Sequence, residues 1–148
     1  MMSILVSMLF GLSSVQGGVR EVVYTSCDVI RVNLGLGMTT QIVFEQEPRL
    51  TLYADHQHFR INTNDLASRS LAIIPFVEAS EINDFRDANG KLPGPKELAS
   101  LLDQSFKTNL FVFFDNSNQL MFELRFVEKK NADFVLKVKQ DFDGECAL

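Results

Sequence analysis

The chain has 148 residues, 46% of them hydrophobic, with 13 Phe and no Trp. That is enough for one domain with a core of its own, and a phenylalanine-rich core needs few internal hydrogen-bond partners. The net charge of −5, with no gathered basic patch, excludes a general attraction to nucleic acid or anionic lipid.

Residues 1–17, MMSILVSMLFGLSSVQG, have the layout of a secretory signal peptide. Ile4–Leu12 is an apolar run too short to span a bilayer as a mature helix. Ser13 and Ser14 follow, and Gly17 puts a small residue before a cut. The amino-terminal region carries no Lys or Arg, only the free amine, and the alternative reading is a buried N-terminal segment. With the signal removed, residues 18–148 form a single domain and no membrane span remains. Export would favour a disulfide between Cys27 and Cys146, tying the first strand to the C-terminal tail. Closing so long a loop stabilises by roughly 4–5 kcal/mol in the chain-entropy model. Two unpaired thiols are the alternative.

Val19–Tyr24 is rich in β-formers and predicts an opening strand, interrupted at Ser26 and Asp28. Val29–Leu34 alternates, with Ile30, Val32 and Leu34 inward and Arg31 and Asn33 outward. Gly35-Leu36-Gly37 then supplies a hairpin turn. Thr39–Glu45 returns with Thr40, Ile42 and Phe44 on one face. Arg49–Ala54 and Gln57–Ile61 are less regular, with a kink or bulge expected at Asp55-His56. Asn62–Ser70 is a polar loop. Leu71–Val77 predicts a strand that lies at a sheet edge or ends at Pro75, because proline cannot donate to a ladder.

Glu78–Gly94 is acidic and carries Asn89-Gly90 and Pro93-Gly94, hence a loop. Pro95 suits the first position of a helix. Leu98, Leu101, Leu102 and Phe106 follow as one apolar stripe, so Pro95–Phe106 is the one helix expected. The stretch Lys107–Val127 organises the rest. Leu110–Phe114 is an apolar run that reads as a buried strand, Asp115–Asn118 a turn. Leu120, Phe122, Leu124 and Phe126 alternate with Met121, Glu123 and Arg125. A lone hairpin is marginal in water, so this one demands other strands to cover its apolar side. Phe134, Leu136 and Val138 mark a final strand, and 141–148 is a polar tail. The fold expected is mainly β: an antiparallel β-sandwich with one short helix.

His56 and His58 are the one constellation resembling a metal site, since a strand would project both to the same face. Zinc needs a third and usually a fourth ligand, and the sequence points to none. Two solvent-facing histidines are the simpler reading. Asp84, Asp87, Asn89 and Gly90 lack the ordered oxygen pattern and terminal bidentate Glu of an EF-hand, so they read as a solvated loop. No Ser lies in a GxSxG context, and neither Cys has a base beside it. No catalytic residue can be named, no cofactor is called for, and an enzyme is not expected.

Two stretches together resemble a known family. Tyr24–Val32, reading YTSCDVIRV, and Gly37–Phe44, reading GMTTQIVF, match the tyrosine, aspartate-valine, glycine, threonine, isoleucine-x-phenylalanine pattern near the start of the TrbG/CagX family. Thr108–Val112, with Phe122-Glu123-Leu124 after it, is similar to that family's threonine-asparagine-leucine strand and the F-x-L strand that follows. These are conjugal-transfer and type IV secretion proteins of the outer-membrane core complex. The resemblance covers Val19–Phe126 and takes in the family's first domain, not its second. The segment Val77–Phe106 is longer than the pattern has there. The resemblance implies a periplasmic interaction module, associated with the outer-membrane complex, whose partners are other protein subunits of an envelope assembly and not nucleic acid. The expected contact surface is the strand at Pro75, the loop Glu78–Gly94 and the helix bearing Leu98 and Leu101. A freestanding periplasmic ligand- or metal-binding domain built on His56 and His58, or an accessory domain of a secretin or pilus-assembly system, are the alternatives.

Overall fold

The computed structural model describes residues 18–25, 27–115 and 118–141. The signal-like segment and Cys146 lie outside them. Nine strands and two α-helices follow in the order β1 (Val19–Thr25), β2 (Val29–Gly35), β3 (Thr40–Phe44), β4 (Leu50–Tyr53), β5 (Phe59–Thr63), β6 (Ser70–Pro75), α1 (Ala79–Asn83), α2 (Pro95–Ser105), β7 (Thr108–Phe113), β8 (Gln119–Val127) and β9 (Val135–Asp141). They build two sheets, a five-stranded one in the order β1-β9-β3-β6-β5 and a four-stranded one in the order β2-β8-β7-β4. The sheets pack face to face as a sandwich, and α2 is the single helix longer than seven residues among those described.

Period-two alternation supplies the core. Ile30, Val32 and Leu34 of β2, and Leu120, Phe122, Leu124 and Phe126 of β8, are buried on one inner face. Ile42 and Phe44 of β3, Leu71 and Ile73 of β6, and Leu136 and Val138 of β9 are buried on the other. Aromatic rings lock the layers together. Phe44 meets Phe114 and Phe122 edge-on at centroid distances of 5.4 and 6.1 Å, and Phe59 lies 5.4 Å from Phe126. Such offset and edge-to-face pairs add to the gain from burial alone.

The route of the chain departs from the expectation. β1 to β5 alternate between the two sheets, so no strand among them pairs with its neighbour in sequence. The Gly35–Gly37 segment is therefore an arch between layers and not a hairpin turn. Gly37, at φ +77°, sits where a side chain would be strained, and the Met38 N–H donates to the Gly35 carbonyl at 3.1 Å. The reason is geometric. Two alternating strands each carry one apolar face, and an arch turns those faces toward each other as readily as a hairpin sets them side by side. Asp55-His56 is likewise no bulge, since the chain passes there from β4 in one sheet to β5 in the other. β5–β6 and β7–β8 are true antiparallel hairpins. With arches elsewhere, β9 runs parallel to both β1 and β3, and β2 parallel to β8. The sheets are mixed where purely antiparallel pairing was expected.

β6 lies between β3 and β5, not at an edge, and it ends at Pro75. The proline ring is buried. The donor it lacks is supplied by the next residue, whose N–H reaches the His58 carbonyl at 2.7 Å. The Glu78–Gly94 segment holds the one-turn helix α1, whose first N–H, from Glu78, is met by the Glu81 carboxylate at 3.0 Å. α2 starts on Pro95 and buries Leu102 against the core.

A carboxylate that sequence reading passed over ties the arches down. Asp133, almost fully buried just before β9, accepts from Arg20 Nε at 3.0 Å and Nη2 at 2.8 Å and from the Asn33 N–H at 2.9 Å. Its own N–H donates to the Asn33 carbonyl at 2.8 Å, and its carbonyl takes the buried Thr40 hydroxyl. One residue thus joins β1, β2, β3 and the start of β9, and meets the polar groups that the layer crossing would otherwise strand in the interior.

Candidate functional site

The outer face of the four-stranded sheet divides into two chemically distinct halves. Register places Leu52 of β4 opposite Phe111 of β7, Phe111 opposite Met121 of β8, and Met121 opposite Val29 of β2. These side chains form one unbroken apolar row across all four strands. Leu50 opposite Phe113 extends it toward the β7–β8 turn. Val29, Leu50 and Leu52 are 57%, 52% and 50% exposed, and Phe111, Phe113 and Met121 are half-buried beside one another. Isolated exposed apolar residues are ordinary on a protein surface, whereas a contiguous set marks a contact region. The outer face of the five-stranded sheet differs, with Glu21, Gln41, Arg60, Asn62, Lys137 and Lys139 interspersed.

The other half of the same face is charged. Arg31 stands opposite Glu123, and Asn33 opposite Arg125. Arg125 donates from Nη1 to Glu123 at 3.0 Å and from Nε to Asp103 of α2 at 2.8 Å. Lys107 Nζ lies 3.6 Å from Glu123. Asp103 also accepts the Phe126 N–H at 3.0 Å, so it fixes both the side chain and the backbone of β8. Its hydrogen bond to Arg125 holds that guanidinium well above its ordinary value. Burial alone would raise the Asp103 carboxyl, but Arg125 and the Phe126 N–H bring it below its ordinary value. Lys107, Glu123, Arg125 and Asp103 are thus paired with one another, while the apolar half is open.

Sequence reading took Leu110–Phe114 as a buried strand. Only Leu110, Val112 and Phe114 are buried, and Phe111 and Phe113 turn outward into the row. The signal for the row lies in the pairing of β4 with β7, which brings Leu50 and Leu52, on an irregular-looking segment, beside two phenylalanines 63 and 59 residues away in register with them.

The residues expected to act are scattered. His56 is exposed, its ring 4.2 Å from that of Tyr53. His58 is buried, not solvent-facing. Its Nδ1 lies 2.8 Å from Asp55 Oδ2, its Nε2 2.7 Å from Glu81 Oε1, and its ring stacks on Phe106 at 3.9 Å. Both ring nitrogens thus face carboxylates, and the two histidines do not converge on one point. Among the described residues no group of three or more His, Cys, Asp or Glu is placed to hold a metal ion. Asp87 spends its carboxylate on the N–H groups of Asn89 and Lys91, both at 2.9 Å, closing the loop on itself. Pro75 is buried at the end of β6. Leu98 and Leu101 are half-buried on α2, and Leu98 lines an apolar groove beside it. Cys27 is exposed between β1 and β2, while Cys146 lies outside the described residues. No helix among the described residues is long and apolar enough to cross a membrane. No protein-family model and no curated protein matches the chain.

Proposed function

We propose that this chain is an exported protein-interaction module that docks through the open apolar half of its four-stranded sheet onto another protein subunit of an envelope assembly. The observation that carries the reading is the in-register row Leu52–Phe111–Met121–Val29, flanked by the paired charges of Glu123, Arg125 and Asp103. An apolar centre beside fixed charges gives burial energy at the centre and orientation at the rim. The signal-like residues 1–17 and the resemblance to the first domain of TrbG/CagX proteins support a periplasmic place, near the outer-membrane complex of a secretion or conjugation system. A secretin or pilus-assembly accessory domain of this build would use the same face. Among the described residues no nucleophile–base or acid–base constellation supports an enzymatic role.

The test is capture from chemically crosslinked envelopes. The wild-type chain and Lys137→Glu, on the opposite sheet, are expected to bring down the same envelope subunit. Val29→Glu and Leu52→Glu are expected to lose it while keeping the wild-type circular dichroism spectrum. Equal recovery by all four chains would remove the face from consideration. A dimer of the purified protein that Leu52→Glu dissolves would make the occupant a second copy instead.

A further inference from the structure

At the far end of β8 from the apolar row, a groove of about 600 Å³ opens between α2, the β2–β3 arch and the 3-10 turn Lys129–Asn131. Its walls are Leu36, Pro93, Pro95, Leu98, Leu102 and Phe126. Small-molecule sites fall at about 300–1,000 Å³ and are mostly apolar with a few placed polar groups. The walls cannot collapse inward. Two are prolines, and Asp103 pins α2 to β8 through Arg125 and the Phe126 N–H, one residue from the groove's floor. A preformed concavity spares a ligand the cost of ordering it.

The mouth carries Glu128, Lys129 and Lys130. Lys130 Nζ lies 3.7 Å from Glu128 Oε2, so those two charges offset each other. Lys129 has no carboxylate at ion-pair distance among the described residues. Its ammonium lies over the arch, 3.7 Å from where a Cβ would stand on Gly37. A single uncompensated positive charge therefore stands at the rim of an otherwise apolar cleft. We propose that the groove binds a free single-chain amphiphile with an anionic head, a long-chain carboxylate, its alkyl chain along Leu36, Leu98, Leu102 and Phe126 and its head against Lys129. A cationic amphiphile meets the wrong sign at the rim, and a short carboxylate leaves the walls wet. The site is independent of the partner-docking face and would stand if that face were discarded.

The experiment titrates the full chain with dodecanoate below its micelle concentration, following backbone amide shifts and heat. Parallel arms use acetate, dodecyltrimethylammonium and phosphatidylglycerol vesicles. Saturable binding of one dodecanoate is expected, with shifts centred on Leu36, Ala99 and Val127 and none from acetate or the cationic amphiphile. Lys129→Ala should weaken it about two- to fivefold, the range for an exposed ion pair, and Lys137→Ala, on the opposite sheet, should leave it unchanged. Ala99→Leu, which fills the wall, should weaken it further. The proposal is overturned if dodecanoate fails to saturate, if dodecyltrimethylammonium binds equally well, or if the shifts fall on Val29 and Leu52. Binding to vesicles without binding of free dodecanoate would overturn it too, as would indifference to both Lys129→Ala and Ala99→Leu.

Discussion

His58 Nε2 stands 2.7 Å from Glu81 Oε1, a contact between the residue just before β5 and the one-turn helix α1. The same imidazole reaches back to Asp55 through Nδ1, so a buried ring bridges two carboxylates across the β4–β5 crossing. Burial pushes the His58 pKa down, but hydrogen bonds to Glu81 and Asp55 outweigh it and hold the value above the ordinary 6.5. Glu81 is held below its ordinary 4.5, first by His58. A raised histidine contributes stability that is full below 6.5 and is lost as pH rises through its folded value. A lowered carboxylate contributes stability that is full above 4.5 and is lost as pH falls through its folded value. The bridge therefore contributes most between 4.5 and 6.5. Melting temperature followed across pH should show its alkaline decline flattened in His58→Gln. An unchanged alkaline limb would mean that the ring is neutral throughout.

Asp103 bonds both the Arg125 side chain and the Phe126 N–H. Asp103→Ala should destabilise by about 2 kcal/mol, since it leaves a partly buried guanidinium and an N–H without their acceptor. The pair Asp103→Leu with Arg125→Met should cost less than Asp103→Ala alone, because both charges leave together. Urea denaturation of the three variants decides the order.

Asp133 is the acceptor for Arg20 and for the Asn33 N–H. Asp133→Ala should lower stability by about 3 kcal/mol. Arg20→Ala, which strands the carboxylate, should do so by about 2 kcal/mol, since Arg20 is partly exposed. Denaturation midpoints at constant slope are the measure, and a loss under about 0.5 kcal/mol for Asp133→Ala would rule out its role as the tie between layers.

Gly37→Ala should cost about 1 kcal/mol, because the arch holds that residue at φ +77° while an added methyl would meet nothing closer than ordinary contact with Lys129. A gain in stability would show that the arch relaxes to negative φ.

The expected Cys27–Cys146 bridge also has a geometric test. Asp141 pairs with Thr25 at the end of β9, so the chain leaves the sheet two residues from Cys27 along the neighbouring strand. Four residues separate Asp141 from Cys146, a reach of up to about 17 Å for the intervening links. Non-reducing peptide mapping of the purified protein should recover the linked pair, and reduction should lower the melting temperature. Recovery of two alkylated thiols from unreduced protein would reject the bridge.

The faces of the strands were readable from the amino acids. Thr40, Ile42 and Phe44, or Leu120 through Phe126, alternate because one side meets the other layer and one meets water, and that contrast is written residue by residue. Pro95 and the Leu98–Leu102 spacing announced α2 in the same local way. Strand partners were not readable, because pairing β2 with β8 depends on residues some ninety positions apart in register. A glycine-rich link reads alike whether it closes a hairpin or arches between layers. Glu81 read as an ordinary loop acid, and Asp133 drew no reading at all, for the same reason. Nothing near either one in sequence reveals the Arg20 or His58 that each meets in space.

β9 is wedged between β1 and β3, parallel to both. Until residues 135–141 are in place, the first strand has no neighbour and the third has only one. The domain cannot lock while residues 135–141 are still being made. The early part of the chain must wait, unzipped, with its phenylalanines unsheltered. Such a domain closes late, when β9 slides into the gap between β1 and β3.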